Sequence, residues 1–249
     1  MFTFATKLAP ERPCLELASE LGFEHVELWL SAAMLDEVDQ ILDDTADLDL
    51  KYVLHFPNDG DLQEQQLAQM VRLYRALDAW ALVIHQPMME RYGRRLLRRG
   101  GELICAVENG VLDPEEFEDW SRGNTFLTLD IEHLWKHTLS DVPMDELLET
   151  LELFWESHGS RVKHIHLPGY RVGGEEHRPI SHHAELGSEV WDFLQKRRYQ
   201  GMVVSEIDAE HQHAIELRKD LIFFQRWERE RGRGTEMRRL RETVVELSA

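Results

Sequence analysis

The sequence predicts a single (β/α)₈ barrel. Short apolar runs alternate with amphipathic helical stretches along residues 1–229, which is the pattern of parallel strands covered by helices. Eight such units in a chain of 249 residues fit a closed barrel. A doubly wound open sheet is the structural alternative, but that fold usually has a glycine-rich turn after its first strand, and the sequence has none there.

The eight predicted strands are short, mainly apolar runs, and most of them end in a polar residue or a turn. In chain order they are Phe2–Leu8, His25–Leu30, Lys51–Pro57, Trp80–Gln86, Glu102–Asn109, Thr125–Asp130, Val162–Leu167 and Gly201–Asp208.

The predicted helices follow from capping signals and from apolar residues at helical spacing. Glu11–Leu21 ends at Gly22, and Asp113 with Pro114 begins a later helix with a capping side chain and a proline at its first position. Ser31 is a candidate cap for a further helix. The remaining well-defined helices are Met144–Trp155, Ser188–Arg198 and Ile215–Trp227, and Pro168–Gly187 is predicted to be a long polar loop.

Residues 230–249 form a second segment beyond the barrel. They hold five Arg and four Glu with few large apolar residues, which indicates a charged helical tail. We interpret this tail as a surface helix that is available for contacts in a homo-oligomer.

Composition favours a soluble enzyme with a small-molecule substrate over a protein that binds nucleic acid or membranes. The net charge of −19 repels phosphate backbones, and no apolar run approaches the roughly 20 residues of a membrane span. The start of the chain lacks a signal-peptide pattern, and Cys14 and Cys105 are too few for a disulfide framework, so we expect a cytoplasmic setting. One basic group is either a solvated helix face or an anion contact: Arg91, Arg94, Arg95, Arg98 and Arg99.

Polar residues collect at the predicted ends of six consecutive strands. In a (β/α)₈ barrel these carboxyl ends meet at one mouth, where the active site lies. The side chains in question are His55, His85, Glu108, Asp130 with His133, His164 with His166, and Glu206 with Asp208. Of the two histidines on the seventh strand we favour His166, because it is nearer the strand end.

Three acids at one mouth would repel each other unless a cation lies between them. Glu108, Asp130 and Glu206 are such a set, and buried charge is costly unless it is paired or bound to a metal. The mixture of imidazole nitrogen and carboxylate oxygen suits Mn, Co, Fe or Zn better than Ca.

Ordinary structural explanations remain open for each of these residues. His55 and His85 also suit core histidines bonded to backbone carbonyls, Glu108 suits a loop acid, and Glu206 suits an ion pair with a Lys or Arg. Four further histidines are interpreted as loop residues: His177, His182, His211 and His213.

Several short motifs resemble the xylose isomerase-like barrel superfamily, which includes sugar and sugar-phosphate isomerases and epimerases and the endonuclease IV phosphodiesterases. The motifs are Gly22-Phe-Glu-His-Val-Glu-Leu, the His-x-Pro strand endings, the Glu108-Asn109 pair, Asp130-x-x-His133, His164-x-His166-Leu and the late Glu206. They extend over roughly residues 2–229.

The resemblance implies a divalent metal site and two functional alternatives. In the isomerase and epimerase branch the ligands would be Glu108, Asp130, His166 and Glu206, with Mn, Co, Mg or Zn as the metal. The two glutamates would be the catalytic acid and base, taking and returning a proton through an enediolate of a small carbohydrate-like substrate. In the endonuclease branch further zinc ligands would fall on His55, His85, His133 and His183, which in an isomerase would instead contact substrate or support the ligands.

The sequence departs from the patterns of these relatives at three places. The endonuclease pattern has Asp where this chain has Ser181, and many relatives have Asp where it has Gly169. Ser188-Glu189 replaces a Gly-x-Gly that is common after Leu186-Gly187. We therefore expect a metal-dependent isomerase or epimerase. A metal-dependent phosphodiesterase and a metal-binding barrel without turnover are the alternatives.

Overall fold

Eight parallel strands close into a barrel in the computed structural model, which describes residues 2–58 and 60–246, with side-chain surroundings up to residue 231. The strands are β1 Thr3–Leu8, β2 His25–Trp29, β3 Lys51–His55, β4 Leu82–His85, β5 Cys105–Glu108, β6 Phe126–Asp130, β7 Val162–His166 and β8 Met202–Ser205. Each strand pairs with the next, and β8 closes onto β1. The predicted barrel is confirmed, and the open-sheet alternative is wrong.

In the described ranges, one helix of six or more residues follows each strand. These helices are α1 Arg12–Leu21, α2 Val38–Thr45, α3 Glu64–Ala76, α4 Arg94–Arg99, α5 Pro114–Gly123, α6 Met144–His158, α7 Ala184–Lys196 and α8 Ala214–Glu246. Gly22 ends α1 with a φ of 98°, a conformation that favours glycine, as its position in the sequence predicts. Two π-helical turns, Met89–Gly93 and Leu134–Thr138, lie shortly after β4 and β6.

Two helix boundaries differ from the sequence prediction by four residues or more. Helix α7 begins at Ala184, four residues before the predicted start, because Leu186 and Gly187 are already buried and share a face with Val190. Helix α8 runs without a break from Ala214 to Glu246, so the proposed division at residue 229 does not coincide with a helix end. That division stays a prediction, and residues 247–249 of the tail lie outside the described part of the chain.

Two apolar clusters make up the core. The larger one lies mostly between the strands and the surrounding helices, and it includes Leu8, Leu54, Leu129 and Trp191. The smaller one comprises Ala5, Val53, Val83, Met202 and Val204. Because side chains of a strand alternate between its two faces, these five residues belong to the opposite face, which is the inside of the barrel.

A polar layer lies directly above this inner apolar layer. Two residues beyond Ala5, Val53, Val83 and Val204 on the same strand faces come Lys7, His55, His85 and Glu206. The barrel therefore closes its lower half with small apolar groups and presents charged and imidazole groups at the carboxyl ends of its strands.

Strand register brings specific polar residues side by side. Lys7 is paired with Glu27 between β1 and β2, His85 with Glu108 between β4 and β5, and Asp130 with His166 between β6 and β7.

The basic group on and before α4 forms surface ion pairs. Arg91 contacts Asp61, while Arg95 and Arg99 both contact Glu64. These contacts favour the interpretation of a solvated helix face. Within residues 2–58 and 60–246, no helix has the length and apolar character needed to cross a membrane.

Candidate metal centre

Four side chains from consecutive strands converge at the mouth of the barrel. Glu108, Asp130 and His166 end β5, β6 and β7, and Glu206 follows β8 directly. Each offers one ligand atom, and these four atoms all lie within 4.8 Å of one another. From His166 Nδ1, the distances are 2.7 Å to Glu206 Oε2, 3.3 Å to Glu108 Oε1 and 3.7 Å to Asp130 Oδ2.

Three of these atoms are buried and make no hydrogen bond. They are Asp130 Oδ2, His166 Nδ1 and Glu206 Oε2. His166 Nδ1 and Glu206 Oε2 are near enough for a hydrogen bond but are not aligned for one, so proximity here does not amount to pairing. Buried polar atoms normally have partners, and three carboxylates with one imidazole carry negative charge. This donor set therefore fits a divalent transition-metal cation.

Hydrogen bonds to Asp130 Oδ1 and to the Asp130 backbone hold its side chain at the barrel mouth. Its Oδ1 accepts a hydrogen bond of 2.7 Å from the backbone N–H of His133, so Asp130 caps the short turn that follows β6. The side-chain amide of Asn109 bonds to both backbone groups of Asp130, at 2.7 Å to its N–H and 2.9 Å to its carbonyl. The Asp-x-x-His spacing is thus a helix cap that leaves one carboxylate oxygen free.

The remaining oxygens of the two glutamates are held by neighbouring side chains. Glu108 Oε2 lies 3.2 Å from His55 Nε2 and 3.1 Å from His85 Nε2. Glu206 Oε1 accepts a hydrogen bond from the ammonium group of Lys7. His55 Nδ1 also lies 3.1 Å from the carbonyl of Phe56. The ordinary explanations raised by the sequence therefore hold alongside the clustering, since His55 bonds to a carbonyl and Glu206 pairs with a lysine.

The structure places His133 beside the convergence point and His183 elsewhere. His133 Nδ1 lies 3.0 Å from the carbonyl of Asn109 and 3.9 Å from both Glu108 and Asp130. His183 instead contacts the carbonyl of Tyr170 and stacks on Trp135 with ring centroids 6.1 Å apart. Among the described residues, His183 belongs to none of the groups of converging ligand atoms.

Contacts of the loop after β7 explain the glycine at position 169 and fix the backbone of Ser181. A Cβ on Gly169 would lie 2.0 Å from the carbonyl oxygen of Pro179, so the loop leaves no room for an Asp there. The backbone N–H of Ser181 donates to Asp220 on α8, at 3.0 Å. These contacts tie residues 169 and 181 to the loop and to α8.

The sequence prediction missed two charged residues of this site, Lys7 and Glu27. Glu27 is fully buried inside the barrel, and its carboxylate lies 3.0 Å from His166 Nε2, 2.9 Å from His164 Nε2 and 3.6 Å from Lys7 Nζ. The signal that points to them is a charged residue within an otherwise apolar strand. Glu27 also stands inside the Gly22-to-Leu28 motif, but no site role was assigned to it.

Neighbouring opposite charges outweigh burial in determining the pKa values of this cluster. Burial raises the pKa of Glu108 and of Glu206, but neighbouring cationic groups outweigh it and hold both pKa values well below the usual range. Burial lowers the pKa of His166, but the carboxylates of Glu206 and Glu27 raise that pKa well above its ordinary value. The carboxylates of this cluster are therefore held in the ionised form that metal ligands need.

The pKa values of His55 and Glu132 are shifted in the opposite direction, because burial dominates there. Burial, aided by the charge of Lys7, lowers the pKa of His55 and favours its neutral imidazole. Burial also raises the pKa of Glu132 to about 8, with the charge of Asp130 acting in the same direction. The sequence prediction did not single out Glu132.

A small pocket opens beside the converging atoms. Its volume is about 230 Å³, and Lys7, Trp29, Glu206 and Gln212 are among the residues that line it. This is below the roughly 300–1,000 Å³ of sites for drug-sized ligands, so the pocket fits a small molecule.

Solved structures with the same architecture include several sugar epimerases. A D-tagatose 3-epimerase-like protein matches with a TM-score of 0.62 at 14% identity, over 94% of this chain and 100% of that chain. A Methylomonas sp. D-allulose 3-epimerase, solved in complex with D-allulose, matches with a TM-score of 0.56 at 14% identity, over 90% of this chain and 96% of its own. An L-ribulose 3-epimerase matches with a TM-score of 0.55 at 13% identity, over 95% and 98%.

These matches concern the fold, because their sequence identities are low. No protein-family model matches the chain, and no curated protein matches it in sequence. The matches extend over nearly the whole of both chains, so the likeness is to a complete barrel. The architecture that the sequence motifs implied is thus confirmed: the chain has a closed (β/α)₈ barrel, as these solved epimerase structures do.

Proposed function

We propose that this protein is a metal-dependent isomerase or epimerase of a small sugar, sugar phosphate or polyol-derived carbonyl compound. One observation carries the proposal. Glu108, Asp130, His166 and Glu206 direct one ligand atom each to a single region at the barrel mouth, and three of those atoms are buried without a hydrogen bond.

In this proposal the four residues would hold one divalent cation, Mn, Co, Mg or Zn. When bound, such a cation supplies Lewis-acid polarisation of a substrate carbonyl. Glu108 and Glu206 lie on the non-adjacent strands β5 and β8, which suits two carboxylates that take and return a proton at the carbon beside that carbonyl. The substrate would pass through an enediolate.

The neighbouring side chains prepare these two glutamates for such a role. Lys7 holds one oxygen of Glu206, while His55 and His85 hold one oxygen of Glu108, so both carboxylates have fixed orientations. His133 stands next to both Glu108 and Asp130, and we assign it a contact with a substrate hydroxyl.

A carbohydrate-like substrate agrees with the pocket and with the charge of the chain. The pocket is small and lined by both polar and apolar side chains, and one structure of the same fold contains D-allulose. A net charge of −19 disfavours DNA at long range.

The phosphodiesterase alternative has one observation in its favour. His55, His85 and Glu108 form one of three further groups of converging ligand atoms among the described residues, and this group shares Glu108 with the main set. A multi-zinc site of the endonuclease kind would need further ligands. His183 contacts Tyr170 and Trp135 instead, and Gly169 has no space for an acidic side chain. These contacts weigh toward the isomerase or epimerase.

Metal content and proton exchange test the proposal together. Protein purified without chelator should contain one metal ion per chain. Incubated in deuterated water with ketoses, their phosphates and inosose-type compounds, the metal-loaded enzyme should place deuterium on the carbon beside the carbonyl of at least one compound. Mass spectrometry and proton NMR detect the exchange.

Two results would replace this proposal. Two or three metal ions per chain, with cleavage of a model phosphodiester or abasic-site DNA that depends on His183, would establish the phosphodiesterase. Stoichiometric metal with neither exchange nor cleavage across the panel would favour a metal-binding barrel without turnover.

A further inference from the structure

We infer that Glu27 is a positioning residue: it holds the ring of His166 through Nε2 so that Nδ1 is presented to the metal. This inference rests on the proposed metal centre, and it assigns a role to a fully buried residue outside the four-residue set. Glu27 is 0% exposed and lies on β2, across the barrel from β7.

The contact of Glu27 with His166 fixes which ring nitrogen carries a proton. His166 Nε2 lies 3.2 Å from Glu27 Oε1 and 3.0 Å from Glu27 Oε2, within hydrogen-bond range of both oxygens. An ionised carboxylate only accepts hydrogen bonds, so Nε2 must be the donor. A neutral His166 then has its lone pair on Nδ1, the atom that lies among Glu108, Asp130 and Glu206.

The charge of Glu27 is balanced within the barrel by Lys7, the residue paired with it in strand register. Lys7 Nζ lies 3.6 Å from Glu27 Oε1 and also donates to Glu206. One buried cation therefore links the carboxylate that holds His166 to a carboxylate of the proposed metal set. Without such a partner, an ionised Glu27 would be costly to bury.

A metal-bound imidazole that donates its other N–H to a carboxylate is oriented and made more basic by that contact. Loss of the carboxylate should therefore weaken metal binding about 10- to 100-fold. Gln at position 27 keeps the size of Glu27 but has both a donor and an acceptor, so it no longer selects one protonated nitrogen of His166.

The test measures Co²⁺ binding and the visible absorption of bound Co²⁺ in the full-length protein. E27Q should bind Co²⁺ about 10- to 100-fold more weakly than the wild type, with a changed ligand-field spectrum. E27D should recover part of the affinity, because it keeps the charge and lacks one methylene.

His164→Asn is the matched control. His164 Nε2 also approaches Glu27, at 2.9 Å, and forms with Glu27 and His166 a separate group of converging ligand atoms. Its ring makes no hydrogen bond and contributes no atom to the four-residue set. H164N should keep Co²⁺ affinity within a few-fold of the wild type and leave the spectrum unchanged. A loss in H164N equal to that in E27Q would mean that any damage to this buried layer weakens the site, and the positioning role would be abandoned.

A second measurement needs no variant, which covers the case in which E27Q does not fold. Nitrogen-15 NMR of the histidine rings in Zn²⁺-loaded wild-type protein should show His166 with its proton on Nε2. A proton on Nδ1 would overturn the inference, as would wild-type affinity and spectrum in folded E27Q. If the wild type itself binds no metal, the proposed function fails first, so the two failures are distinguishable.

Discussion

Each glutamate of the metal centre divides its two oxygens between separate tasks. One oxygen of Glu108 lies between His55 and His85 and the other points to the shared region, and Glu206 divides its oxygens between Lys7 and that region. Removing the negative charge from both glutamates should therefore remove the main attraction for a cation.

The double variant E108Q/E206Q should lose bound metal. Gln keeps the shape of the side chain but lacks the charge that attracts a divalent ion, so metal per chain measured by plasma mass spectrometry should fall from about one to near zero. A double variant that keeps full occupancy would show that the ligands are elsewhere.

The matched control is E20Q/E149Q. Glu20 and Glu149 are exposed acids away from the barrel mouth, and their replacement changes the net charge by the same amount. This control should keep wild-type metal content. An equal loss in both variants would attribute the effect to net charge.

Cys105 should be unreactive in the folded protein. Burial raises the pKa of its thiol to about 11, so at pH 8 only about one molecule in a thousand carries the thiolate. A C14S variant, in which Cys105 is the remaining cysteine, should react with Ellman's reagent at least 100-fold more slowly when folded than in 6 M guanidinium chloride. Equal rates in the two conditions would contradict the buried position.

Sequence reasoning identified the ligand-type residues and missed the charges that lie beneath them. Asp130, His166 and Glu206 stand at or just after strand ends, where spacing alone indicates a mouth position. Lys7 and Glu27 lie within or at the end of apolar runs, and the face they occupy depends on strand register. Register is a product of barrel closure, so a single sequence does not determine it.

At the scale of elements, Asn109 fastens the end of β5 to the end of β6. Its buried amide bonds to both backbone groups of Asp130, so N109A leaves two buried groups without partners. We expect a loss of roughly 2–5 kcal/mol in the free energy of unfolding, measured by urea denaturation. N58A, in an exposed turn, should change stability by less than about 0.5 kcal/mol. A stability loss in N109A as small as that would mean that the hydrogen bonds of Asn109 to Asp130 contribute little to stability.

The loop between β7 and α7 depends on the absence of a side chain at residue 169. In G169A the new Cβ would meet the carbonyl oxygen of Pro179 at 2.0 Å, and backbone would have to move to relieve the contact. We expect about 1–3 kcal/mol of destabilisation in thermal unfolding. G123A is the control, because a Cβ there meets nothing within 4 Å, and it should be neutral or slightly stabilising. Equal stability of the two variants would contradict this packing.

The order and kind of elements were predictable from the sequence, and some boundaries were not. The predicted strand Trp80–Gln86 is four residues long in the structure, Leu82–His85, and it ends at His85 because Gln86 and Pro87 already begin a helical turn. The early start of α7 at Ala184 was missed since His182 and His183 made the stretch look like polar loop. Helix α8 continues past residue 229 although the apolar periodicity stops there.

For the whole molecule, a bound cation should raise the temperature of unfolding. A ligand that binds only the folded state, at a free concentration 100 times its dissociation constant, adds about 2.7 kcal/mol to the free energy of unfolding. In a chain of 249 residues this raises the temperature of unfolding by about 5–10 °C. Differential scanning calorimetry with and without Mn²⁺ measures the shift, and EDTA should reverse it. E108Q/E206Q should show no shift, and a shift of the same size in that variant would point to a site elsewhere.

The division of the core into a large outer cluster and a five-residue inner one has a consequence for sequence divergence. Most buried apolar contact lies between strands and helices, away from the mouth, so mutations at the mouth or in its loops leave that packing intact. A lineage of such barrels can therefore exchange substrate-facing residues while retaining its stability, and outer positions can drift among apolar residues of similar volume. The same barrel architecture is therefore compatible with very different sequences, as in the match of 94% of this chain to a D-tagatose 3-epimerase-like protein at 14% identity.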